Sequence, residues 1–350
     1  MERAPATNHT VKTPVRAYLA GVSFYKSRPG STIGEQGHDF LVLDIGDLTV
    51  KRTDIEGRIS QTWAGKGDGP GEVRALTSVG LGNDQDFYIV DVNLRRVTRF
   101  NFDSTDIDIR RFPDRFATRS FPVTILPNGT ILWYSREVIE DARHPTGFTS
   151  RYTFIEVPWV QDGSRVLKIF VDGYRNQSVP IGGGRITNIS SPFSPNPAAL
   201  FSKSKLFLTF SSEYDIYEFT EDRSERLISV NITLVQVTDN DLEEVYTPQR
   251  YQQYKGKILT PKTKSFIRDL SAIDDNVRLW VLRYPHSIIS NPPEGSESHY
   301  DLVDLETSRI VATVRIPFGL IFAVQGNIAY AYSNAISNQG TLIAYQLYVE

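Results

Sequence analysis

Phe87-Tyr-Ile-Val-Asp-Val-Asn-Leu-Arg-Arg-Val-Thr-Arg-Phe100 reads as a strand, a tight turn and a second strand. The aromatic and β-branched run stops at Asp91, Asn93 supplies turn chemistry, and alternation resumes at Val97. The pattern is met 47 residues earlier, where Asp44 maps to Asp91, Val50 to Val97, and the turn at Asp54 to that at Asn101. One such unit cannot bury both its faces alone. A repeat of roughly 40 to 50 residues made of short strands therefore predicts a β-propeller, in which each blade packs on its neighbours.

The same kind of apolar anchor recurs along the chain. Phe40–Asp44, Phe87–Asp91, Ile131–Tyr134, Leu206–Phe210, Leu279–Leu282 and Ile328–Tyr332 are six of them, and long helical periodicity is almost missing. The fold class is all-β, a six-bladed propeller spanning 15–350 behind an N-terminal extension, 1–14. Spacings of 44, 75, 73 and about 50 residues between the later anchors place insertions in the middle of the ring. Loops are expected at 136–151, 238–265 and 285–298, the last containing Asn291-Pro-Pro-Glu-Gly295. Within 238–254, an Asp/Asn-rich start and Pro248 predict two short helices. The last unit supplies three strands from its own segment, and Val15–Tyr25 is expected to be the fourth, so that the N-terminal strand closes the ring on the C-terminal blade.

Composition narrows the function classes. Lys and Arg number 38 against 41 Asp and Glu, a formal charge of -3 with the signs mixed throughout, which argues against nucleic acid as a partner. There is no cysteine, so disulfides, thiolate catalysis and Cys-ligated metals are excluded. The 19 Phe, 17 Tyr and 4 Trp supply the material for a core. No stretch approaches the roughly 20 apolar residues of a membrane helix. Residues 1–12, with Glu2 and no apolar run, carry no secretory signal.

The 87–100 stretch resembles the NHL-type repeat, through Asp91, Arg96 and Val97. Leu94 stands where that repeat has Asn, and Thr49 stands where the first unit should have Arg. Residues 61–74, Gln-Thr-Trp-Ala-Gly-Lys-Gly-Asp-Gly-Pro-Gly-Glu-Val-Arg, are similar to a Gly-Lys-Gly-x-Gly-Pro-Gly-Glu segment of bacterial six-bladed propeller proteins. Glu213–Ile216 and Leu279–Val281 echo later blades of that family. The resemblance covers roughly residues 39–350. It implies the propeller fold and an extracytoplasmic setting, and leaves the activity open.

Gly65-Lys-Gly-Asp-Gly-Pro-Gly71 lacks both the Ser/Thr and the helix of a phosphate loop, so Gly67, Gly69, Pro70, Gly71 and Glu72 are expected to shape a structural turn, with Glu72 capping it. Asp91 and Arg96 are expected to brace a hairpin tip as an ion pair. A calcium-dependent lactonase of the gluconolactonase type would need converging oxygens. Asp44, Asp91 and Asn188 are the imaginable ligands, while Ser135 and Phe210 occupy comparable strand ends. His9, His38, His144, His286 and His299 form no local cluster. Tyr251, Tyr254, Lys255, Lys257 and Lys262 mix base and aromatic and suit a partner contact. The expectation is a propeller without catalytic residues, metal or cofactor, acting as a protein-interaction scaffold and as an accessory, extrinsic subunit of a larger complex, membrane complexes included. The alternatives are the lactonase and a sugar- or peptide-binding propeller.

Overall fold

The structure, a computed structural model, describes residues 7–20, 22–23, 40–44, 47–54, 58–75, 78–81, 86–112, 120–126, 128–140, 148–158, 163–172, 177–182, 185–189, 198–202, 204–210, 214–220, 222–233, 236–245, 252, 267–283, 297–316, 320–333 and 339–349. The chain opens with β1 (Thr7–Ala20). Sheet I then holds β2 (Val22–Ser23), β3 (Phe40–Asp44), β4 (Thr49–Thr53) and β5 (Ile59–Trp63) in that order. Sheet II is β6 (Ser78–Leu81), β7 (Asp86–Asp91), β8 (Arg96–Asn101) and β9 (Ile107–Arg111). Sheet III is β10 (Ser120–Ile125), β11 (Ile131–Glu140), β12 (Phe148–Val157) and β13 (Arg165–Asp172). A separate hairpin, β14 (Gln177–Gly182) and β15 (Arg185–Ile189), precedes sheet IV: β16 (Ala198–Ser202), β17 (Lys205–Thr209), β18 (Asp215–Phe219) and β19 (Glu225–Ser229). After helix α1 (Asp239–Val245) comes sheet V, with β20 (Ile267–Ile273), β21 (Arg278–Arg283), β22 (Ser298–Asp304), β23 (Arg309–Ile316), β24 (Leu320–Gln325), β25 (Ile328–Ser333) and β26 (Gln339–Val349). Its strand order is β20-β21-β22-β23-β1-β26-β25-β24. Consecutive strands pair antiparallel, and only a short parallel contact, Thr7–His9 against Ala312–Val314, joins β1 to β23.

Every apolar anchor of the sequence falls on the second strand of a four-strand run: β3, β7, β11, β17, β21 and β25. These strands are apolar on both faces because both faces are buried. Phe87 and Ile89 pack with Leu41, Val50 and Val73 toward sheet I, whereas Tyr88 and Val90 pack with Ile131 and Trp133 toward sheet III. Leu279 and Val281 likewise face sheet IV, and Trp280 and Leu282 face β24 to β26. Burying one such side chain contributes roughly 1.5–3 kcal/mol, so the stability is spread along the seams between sheets. The turn into the anchor also repeats: Gly129, Ser204, Val277 and Gly326, each two residues ahead of its anchor, have φ of 77°, 60°, 60° and 54°. Glycine is strain-free in that left-handed region and β-branched Val277 is not.

Three boundaries differ from the sequence reading. Strand β1 begins at Thr7, not Val15, so residues 7–14 do not form a free extension. Its register with β26 shifts between Lys12 and Val15, the interval that holds Pro14, which cannot donate to a ladder. Val15–Tyr25 is not one strand either: Val15–Ala20 pairs with Gln339–Ala344, whereas Val22–Ser23 pairs with Leu43–Asp44 of sheet I. Finally, 136–151 is not all loop. Arg136–Glu140 pairs in register with Phe148–Tyr152, which prolongs the β11–β12 hairpin beyond β10, while β13 follows it as far as Ser150. Of the two helices expected, α1 is present. It starts with Thr238, whose backbone N–H and hydroxyl both donate to Asp241 Oδ2 at 2.8 Å. The second helix, the 285–296 part of the last loop, and Tyr251, Tyr254, Lys255, Lys257 and Lys262 lie outside the described residues. Among the described residues, no helix is long and apolar enough to cross a membrane.

Candidate functional site: the glycine-rich connection between sheets I and II

The segment from β5 to β6 folds back on itself. Val73 N–H donates to Gly65 C=O at 2.7 Å and Gly67 N–H to Val73 C=O at 3.1 Å, so Lys66 and Val73 form a parallel bridge. Inside that loop Glu72 Oε2 accepts from Gly69 N–H at 2.6 Å. Gly71 has φ of 78°, so its backbone calls for glycine, while a Cβ there would meet only the movable Cδ1 end of the exposed Ile107, at 2.7 Å. The connection leads into a strand, β6, where a phosphate loop would lead into a helix.

Asp91 and Arg96 are register partners at the β7–β8 turn, yet their side chains part. Asp91 Oδ2 accepts from the backbone N–H groups of Arg74 (2.6 Å) and Ala75 (3.3 Å), and Oδ1 from that of Leu94 (2.9 Å). The buried Arg96 guanidinium donates to the C=O groups of Asp68 (3.1 Å), Gly69 (2.7 Å) and Glu72 (2.5 Å). The expected ion pair is thus replaced by two clamps: the carboxylate takes the loop's amides and the guanidinium takes its carbonyls. Both charges saturate backbone groups that would otherwise be orphaned. On the exposed side Arg74 reaches Asp68, and that hydrogen bond holds the Asp68 carboxyl below its usual range.

Beside this loop lies a groove of about 610 Å³, with Trp63, Pro70, Phe100, Phe102, Asp103 and Ile107 in its walls. Trp63 stands edge-on to Phe87 and Phe102, with ring centroids at 5.0 and 5.5 Å, and Gln61 Nε2 donates to Phe102 C=O at 2.9 Å. The groove floor is therefore fixed by the aromatic packing of Trp63 on Phe87 and Phe102 and by the side-chain clamp just past the C-terminal end of β8.

The structure brings Gly67, Gly69, Pro70, Gly71, Glu72, Asp91 and Arg96 together in this one loop and its clamps. It does not gather the imagined calcium ligands. Asp44 accepts from Lys51 Nζ at 2.6 Å and from Asp47 N–H at 3.4 Å, Asp91 is saturated as above, and Asn188 stands on the separate β14–β15 hairpin. Ser135 lies within β11, paired with Ser120 and Thr153, and Phe210 is packed on Tyr152 at 4.6 Å. His299 lies 3.7 Å from Glu297. Among the described residues, no group of three or more His, Asp or Glu could hold a metal ion.

Sequence reasoning missed a second set of buried charges. Asp301 accepts from Arg283 (3.1 Å), Thr313 (3.0 Å) and, across the seam from sheet IV, Tyr214 (3.2 Å). Asp274 accepts from Arg278 Nε (2.8 Å) and the Trp280 indole (3.1 Å). Glu218 takes Lys205 at 2.7 Å and Arg226 on its other oxygen. Burial pushes the Glu218 carboxyl up, and those two cations bring it below its usual value. The available signal was a lone carboxylate inside an apolar strand, as in Tyr300-Asp301-Leu302-Val303.

No protein-family model matches the chain, and no curated protein matches it. Among solved structures it is similar to a member of the DUF4221 family from Bacteroides vulgatus, with 10% identity, 99% of each chain covered and a TM-score of 0.60. It is also similar to a putative exported protein from Bacteroides fragilis, with 14% identity, 96% of this chain and 95% of that one covered, and a TM-score of 0.51. A virginiamycin B lyase from Staphylococcus aureus follows at 10% identity, 96% and 99% coverage, and a TM-score of 0.44. The likeness is one of fold: the chain is a β-propeller-type protein.

Proposed function

We propose that the chain is a six-bladed propeller closed by β1 and works as a non-enzymatic protein-interaction scaffold, an accessory, extrinsic subunit of a larger complex. One observation carries this reading. The buried carboxylates Asp44, Asp91, Glu156, Glu218, Asp274 and Asp301 are each engaged by cations, amides or hydroxyls of the same chain. Buried charge is thereby committed to holding loops and seams, which suits a rigid frame that presents its surface to a partner. The closure is supported by the pairing of Val15–Ala20 with Gln339–Ala344, which adds a fourth strand beside β24, β25 and β26. Deleting residues 1–26 should then lower the melting temperature of the whole protein, and an unchanged melt removes the closure. The scaffold role is tested by affinity capture from the native host: a stoichiometric protein partner is expected. A lone monomer that binds Ca²⁺ and hydrolyses lactones would replace this reading with the lactonase. The aromatic groove beside Trp63 favours a second reading, a sugar- or peptide-binding propeller; glycan-array and peptide-array binding that is lost in Trp63→Ala would establish it.

A further inference from the structure

Three of the most exposed apolar side chains of the described residues share one strand. Val166, Ile169 and Val171 on β13 are 55%, 50% and 62% exposed. β13 is the last strand of sheet III, and among the described residues no strand pairs with its outer edge. Natural edge strands are guarded by charges. β9 carries Asp108, Arg110 and Arg111 at its edge, and β19 carries Glu225 and Arg226. The lysine that could guard β13 is turned away: Lys168 Nζ lies 2.5 Å from Glu225 Oε1 and 3.9 Å from the centre of the Tyr217 ring, both on sheet IV. Leu167 and Phe170 pack against the core on that same side.

The register of β13 makes the strand self-complementary. Opposite Ser150–Glu156 of β12 it occupies seven positions, because the shift between Phe154 and Ile155 leaves Leu167 as a bulged extra residue. The bulge puts Val166 on the same face as Ile169 and Val171. With seven positions the centre is Ile169. An antiparallel pairing of two copies about that centre sets Ile169 on Ile169, Val166 on Val171, and position 165, an arginine, on position 172, an aspartate. Apolar meets apolar at the axis and at 166 and 171, arginine meets aspartate at the ends, and Lys168, held by Glu225 of its own chain, stands opposite Phe170, with every paired position on a matching face.

We propose that the outer edge of β13 is a two-fold self-association surface, and that its occupant is the β13 edge of a second copy of this chain. The contact is isologous, so it closes at a dimer and leaves no second β13 edge to recruit. It is independent of the scaffold reading, which could hold for a monomer or a dimer. The test uses the full chain at about 100 μM in sedimentation velocity and light scattering. The expected mass is twice the 39.5 kDa of one chain. Ile169→Lys places two ammonium groups on the axis and should return the monomer with an unchanged melt. Arg165→Asp should weaken the dimer at least tenfold, and Arg165→Asp/Asp172→Arg should restore it, which generic stickiness of an apolar strand would not do. Because the chain has no cysteine, Ile169→Cys supplies a single thiol. Directly opposed residues of an antiparallel pair have Cα atoms roughly 4.5–5.5 Å apart, within disulfide reach. Oxidation should cross-link Ile169→Cys and not Ile59→Cys, a control at another exposed edge position. A monomer mass at this concentration, or equal cross-linking at the two positions, overturns the proposal.

Discussion

Asp91 and Asp301 are both 1% exposed, yet the seam between sheets I and II uses its aspartate in one way and the seam between sheets IV and V in another. Asp91 is saturated by three backbone N–H groups, two of them from the glycine-rich connection. Asp301 is saturated by three side chains, Arg283, Tyr214 and Thr313. An amide cannot be mutated away or titrated, so the first arrangement fixes the path of one segment whatever its side chains are. The second depends on each partner, and it spans two sheets. One holds a loop; the other holds a seam.

The largest effect is expected where a partner charge is left behind. Asp301→Ala strips Arg283 of its carboxylate beside a fully buried Tyr214, and loss of one member of a buried pair costs about 3–5 kcal/mol. Urea unfolding should show that loss as a cooperative shift of the whole transition. Asp91→Ala should cost less, about 2–3 kcal/mol, because the amides it frees lie on a partly exposed loop. Its damage should be local: trypsin should cut native Asp91→Ala after Arg74, while the wild-type chain and Asp301→Ala stay intact there. Equal global destabilisation with no new cleavage would erase the distinction between the two seams.

Tyr214 sharpens the comparison through pH. Burial first, then the Asp301 charge and the hydrogen bond to it, push its hydroxyl well above the ordinary value of 10.0. A tyrosine whose folded pKa exceeds its unfolded one contributes stability below about pH 10, and that contribution is lost as pH rises further. Tyr214→Phe should therefore lose about 1 kcal/mol at pH 7, and the deficit against wild type should shrink above pH 10. Asp91, held by amides, has no equivalent partner, so Asp91→Ala should show a constant deficit from pH 7 to 11. Denaturation midpoints at both pH values decide it.

What was legible in the sequence follows the same division. The anchors were readable because each strand is buried on both faces, which writes continuous apolar runs such as Phe87–Val90. The glycine-rich turn was readable because left-handed Gly71 and the capping Glu72 leave residue-type signals. The partners of Asp91 and Arg96 were not, since their contacts are to backbone, which every residue carries. The Asp301 node joins residues from 214 to 313, and such a separation leaves no local pattern. Nor does the sequence announce Val277 in a left-handed turn, where its spacing before the anchor, matched by Gly129 and Gly326, imposes the backbone on a β-branched residue.

The smallest effect isolates what the loop clamp owes to charge. Arg74 and Asp68 form an ion pair on the same loop that Arg96 grips, but both are more than half exposed, whereas Arg96 is buried. Exposed pairs gain little because water screens them and both side chains lose freedom. Asp68→Asn should thus leave the unfolding midpoint unchanged and merely remove the one lowered carboxyl titration of the loop. Arg96→Lys keeps a positive charge but replaces a planar fork by a point donor that cannot serve the carbonyls of Asp68, Gly69 and Glu72 together, at a cost of about 1–2 kcal/mol. If Arg96→Lys proves as silent as Asp68→Asn, the loop is held by Asp91 and its own turn alone. If Asp68→Asn proves as costly as Arg96→Lys, the surface pair carries weight that its exposure does not allow.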